Sequence, residues 1–125
     1  MRITRYDKYL SLRWSEEYNC WAFMCFLAKE EFGWDISSSW EEGLPAEEAF
    51  MRAKESASWE RVETPGEGVF VILDAGRWEQ GYGHIGLMID EEDFIHNREK
   101  VGVVIEPLRR WLKRSKVKGY YRYRD

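Results

Sequence analysis

The chain has 125 residues with a formal net charge of -4, 44% hydrophobic and 16% aromatic residues. That length suits one domain, and that much apolar and aromatic surface excludes a disordered chain. No apolar run reaches the roughly 18 residues that cross a bilayer, so no membrane insertion is expected. The opening MRITRYDKYLSLRW lacks the apolar stretch of a secretory leader, which predicts cytoplasmic synthesis without a signal peptide.

In chain order, NCWAFMCFLAKEEFG (19–33) predicts a helix capped by Asn19, closed by Gly33 and apolar nearly all round, hence buried. Residues 34–43, with three serines between Trp34 and Trp40, predict a loop. A second helix is expected from Pro45, with Ala46, Ala49, Phe50, Ala53 and Ala57 at helical spacing. Trp40, Trp59 and Trp78 read as loop residues that cap the core or rim a cleft. From Pro65 the grammar changes to short glycine-punctuated β runs: GVFVIL, GHIGLMI, DFIHN, VGVVI and GYYRYR. Their short spacers favour antiparallel hairpins. PLRRWLKR (107–114) predicts a short helix or turn with Leu108, Trp111 and Leu112 inward. The expectation is a single α+β domain over 1–125, N-terminal helices packed on a C-terminal antiparallel β-sheet.

Residues 1–97 carry nine basic and twenty acidic groups, whereas 98–125 carry ten and three. The basic C-terminal block reads as a solvated face, because the acidic total argues against a nucleic-acid partner. Cys20 and Cys25 would point about 140° apart on a helix, so no disulfide is expected between them. Two cysteines and two histidines are the whole stock of nucleophiles, bases and soft metal ligands. Cys20 falls in the first turn of the apolar helix, where the dipole and backbone N–H groups favour a thiolate; its own N–H suits an oxyanion. Cys25, mid-helix between Met24 and Phe26, reads as an inert buried thiol.

His84 opens one strand and His96 lies in the next. With residues 90–92 as the hairpin loop, 86 faces 96, and the two histidines become diagonal neighbours on one face. Nucleophile, base and orienter are the parts of a thiol hydrolase, although each residue taken singly reads more readily as structural. A zinc site from these four residues is the weaker reading, since neither C-x-x-C nor H-x-x-x-H spacing occurs, and no cofactor motif is read.

YNCWAF, PGEGVFVIL, GHIGLMID, DFIHN and VGVVIEPLRRW followed by GYYRY resemble, in order and spacing, the NlpC-type papain-like cell-wall cysteine peptidases, closest to short phage tail and prophage members. The resemblance covers roughly residues 9–123 and is weakest between Trp34 and Thr64. It implies Cys20 as nucleophile, with Asn19 where the family has Asp, His84 as base and His96 as orienter. It also implies a substrate-binding aromatic upstream of the nucleophile, either Trp14 or Tyr18. The segment RWSEEYNC lacks the family's paired glycines there. The implied substrate is an amide in peptidoglycan stem peptides, reached as part of a virion, by lysis or through a secretion machine. The rival readings are a noncatalytic phage tail or assembly protein that keeps the fold, and an effector with deamidase or acyl-transfer activity.

Overall fold

A computed structural model describes residues 3–15, 17–36, 58–74, 84–113 and 115–124. A 3-10 turn at Asp7–Tyr9 precedes helix α1, Cys20–Phe32. Strands follow as β1 (Trp59–Val62), β2 (Val69–Asp74), β3 (His84–Met88), β4 (Asp93–Arg98) and β5 (Gly102–Pro107). The single-turn helix α2 (Leu108–Trp111) leads into β6, Lys116–Tyr123. The six strands form one sheet in the order β1-β6-β2-β3-β4-β5, and every pairing is antiparallel.

The ends of α1 follow from its sequence. Asn19 Oδ1 accepts the Ala22 N–H at 3.0 Å, and Gly33 takes the left-handed conformation, φ 72°, that closes the last turn. The expected boundaries of α1 hold within one residue, and all five predicted strands form, although β5 runs two residues past its expected end and β6 starts three residues before its expected start. Strand β1 was not expected: WERV is only four residues long, and its partner β6 lies about 60 residues away, beyond local pattern. Trp59 therefore belongs to a strand and is buried in the core, where it was expected in a loop. Trp40, Trp78 and the helix expected from Pro45 lie outside the described residues.

The sheet separates two apolar layers. On one face, Trp21, Phe23, Met24 and Leu27 of α1 pack with Phe70, Ile72, Ile85, Leu87 and Ile95. On the other, Leu108 and Trp111 of α2 cover Val69, Val71, Leu73, Met88 and Phe94. Because α2 ends at Trp111, Leu112 leaves the layer and is half exposed, which corrects its expected inward direction. Gly86 is required by close approach: a Cβ there would lie 2.4 Å from Phe94 Cδ2 and 3.2 Å from His96 Cβ. No helix among the described residues is long and apolar enough to cross a membrane.

Candidate active site

The β3–β4 hairpin has the predicted register: Leu87 pairs Ile95 and Met88 pairs Phe94, which puts 86 opposite 96. His84 and His96 are accordingly diagonal neighbours on one face. His84 Nε2 lies 2.7 Å from His96 Nδ1, and both rings are buried. On the next strand Glu106 continues the line, with Oε1 2.9 Å from His96 Nε2. The rings are held by aromatic packing. His96 stacks on Phe94 with centroids 4.1 Å apart, and His84 stacks on the Trp111 indole at 5.3 Å with planes 6° apart.

The protonation pattern follows from Glu106 outward. Its hydrogen bond to His96 holds this carboxyl down at about 2, so it is a carboxylate and only accepts. His96 Nε2 therefore carries the proton donated to it. Burial holds His96 down at about 3, so the ring is neutral and Nδ1 keeps a lone pair. His84 Nε2–H then donates to that lone pair, and in neutral His84 the basic lone pair is at Nδ1. The line Glu106–His96–His84 fixes a tautomer through two rings in series.

Cys20 is the first residue of α1 and is 0% exposed. It lies among Trp21, Phe23, Ile85 and Ile95 in the layer between α1 and the sheet. Leu73, the cross-strand partner of His84, and Phe94, two residues before His96, lie in the opposite layer with Trp111. The structure thus brings the two histidines together on the α2 side of the sheet, and Cys20 begins α1 at the same end. What ties that end together is Asn97, next to His96 but facing α1. Its Nδ2 donates to Tyr18 O at 2.8 Å and approaches Asn19 O at 3.5 Å, strapping the turn before Cys20 onto β4.

Tyr18 is half-buried and packs edge-on against Phe23 and Phe26, with centroids 6.3 and 6.5 Å away. Burial raises its phenol above the ordinary range. Trp14 is also half-buried, and its indole N–H finds no acceptor among the described residues. Neither is hydrogen-bonded to the histidine relay among the described residues. Cys25 is partly buried and not in a disulfide, its thiol pushed up to about 12 chiefly by burial, as suits an inert mid-helix cysteine.

Glu106 and Trp111 are site residues that the sequence reading passed over. Glu106 is the one charge in VGVVIEP, but the two-residue spacer at 99–100 would set it opposite 93 on the other face; the observed three-residue loop at 99–101 pairs it with Phe94 and makes it diagonal to His96. The Trp111 indole donates to Glu106 Oε1 at 3.3 Å and walls both rings, a placement that depends on how α2 folds back over the sheet. Among the described residues no cluster of three metal-ligating side chains occurs. Comparison with protein-family models and with curated proteins returned no match to this chain.

Proposed function

We propose that the chain is a cysteine hydrolase of the NlpC type, opening an amide of peptidoglycan stem peptides through a thioester. Cys20 Sγ attacks the carbonyl carbon, and His84 Nδ1 holds the thiol proton and passes it to the leaving amine. Water then hydrolyses the thioester, with His84 again taking the proton. His96 and Glu106 act through His84 as positioning residues. The observation that carries this reading is the buried relay from Glu106 to His84 at the end of the sheet where Asn97 straps down the Cys20 turn. The chemistry requires Sγ and His84 Nδ1 to meet around the start of β3, which is preceded by residues 75–83, outside the described set.

A second reading has its own support. A Cys20 that is fully buried suits a noncatalytic tail or assembly protein that keeps the fold. Digestion of purified peptidoglycan followed by mass spectrometry separates the two. The hydrolase reading expects stem-peptide fragments from wild type and none from Cys20→Ala. Equal fragment release from both removes Cys20 from the reaction, and no release from either favours the noncatalytic reading.

A further inference from the structure

A cavity of about 150 Å³, lined by Arg98, Glu106, Arg110 and Trp111, opens over the outer end of the relay. Its charge is unbalanced: two guanidiniums face one carboxylate, and the neighbouring His96 ring is neutral. Glu106 cannot satisfy both arginines. Its Oε1 already takes His96 Nε2 at 2.9 Å and the Trp111 indole at 3.3 Å, leaving Arg98 Nη1 at 3.5 Å. Arg110 Nη1 comes only to 3.9 Å from Oε2. Both contacts are longer than the roughly 2.7–2.9 Å of a charge-assisted hydrogen bond, so each guanidinium is drawn to Glu106 without engaging its fork. Arg98 lies over the Trp111 ring, its Cζ 5.5 Å from the centroid, which fixes one fork beside the cavity wall. Its side chain is 27% exposed and that of Arg110 66%, so the pair spans the cavity from floor to mouth.

We propose that this cavity is a binding site for the carboxylate of a small monoanionic ligand, gripped between Arg98 and Arg110 beside the Trp111 indole. Guanidinium forks match the two oxygens of a carboxylate. One negative charge neutralises the local excess, whereas a phosphate dianion would meet the fixed charge of Glu106. The volume holds about five waters at roughly 30 Å³ each, enough for a carboxylate with a short carbon chain, such as the end of a peptide. The site lies on the α2 face of the sheet and stands independently of any role for Cys20.

The test follows the Trp111 indole N–H by NMR, assigned with Trp111→Phe, during titration with N-acetylglycine, acetate or inorganic phosphate at constant ionic strength. Saturable shifts are expected with N-acetylglycine and acetate at pH 7, with phosphate weaker. Arg98→Gln and Arg110→Gln should each weaken N-acetylglycine about tenfold, the effect of losing roughly one charge-assisted hydrogen bond. Arg98→Lys, which keeps the charge but loses the fork, should fall between. Glu106→Gln should admit phosphate. An unchanged titration in the folded double Arg→Gln variant, or phosphate binding wild type more tightly than acetate, overturns the proposal.

Discussion

Lowering the pH from 7 to 5 should destabilise the folded protein by about 2 kcal/mol through His96 alone. In the unfolded chain this ring takes its proton near the ordinary 6.5, whereas burial holds the folded value near 3. As pH falls, the unfolded state therefore binds the proton first. Stability is lost between about 6.5 and 3, at up to about 1.4 kcal/mol per pH unit. pH 5 lies 1.5 units below the ordinary value of the unfolded ring, which gives about 2 kcal/mol. The window avoids the depressed carboxylates Glu31 and Glu106, whose contributions are present above about 4.5 and disappear only as pH falls further. The assay is urea unfolding at pH 7 and pH 5, for wild type and His96→Gln, with slopes compared to confirm two-state behaviour. The variant is expected to be less stable at both pH values but to show a much smaller pH-dependent loss. Equal losses in the two proteins would refute the assignment of a buried neutral ring at position 96.

Gly86→Ala should cost about 1–3 kcal/mol, because the new methyl meets Phe94 in a filled layer, and a melting curve checks it. Asn19→Ala, which removes the cap on Ala22 N–H, should cost about 1 kcal/mol by the same measurement, with Asn19→Ser close to wild type. If the hydrolase reading holds, His84→Ala should lower kcat by about 10²–10⁴-fold, with a stability loss from the stacked ring and from the His96 Nδ1 left without its hydrogen bond. Cys25 should resist alkylation at pH 8 in the folded protein and become reactive in urea, as peptide mass mapping would show.

The elements legible in the sequence are those whose information is local. Asn19 and Gly33 bound α1 because a cap and a left-handed glycine act within one turn. The histidine pairing was legible because strand period and loop length fix a hairpin register once the loop is chosen. Two things were not legible. Strand β1 owes its existence to β6, and a four-residue run carries no signal of so distant a partner. The side of the sheet on which each residue sits relative to α1 was also hidden. Alternation shows that His84 and His96 share a face, but not whether that face meets the helix. The structure gives α1 the odd-numbered Ile85, Leu87 and Ile95, and leaves the even-numbered histidines to α2. Glu106 lay between these cases: strand counting reaches it only with the three-residue loop at 99–101, and it stood as one charge among the ten basic and three acidic groups of the C-terminal block.

The most direct test of the hydrolase reading is the reactivity of Cys20 itself. Iodoacetamide labelling of the native protein between pH 5 and 9, mapped residue by residue, should show Cys20 reacting below the range of an ordinary thiol, with that advantage lost in His84→Ala. A Cys20 that stays unlabelled across this range until the protein unfolds would contradict the reading and leave the buried histidine relay without a nucleophile.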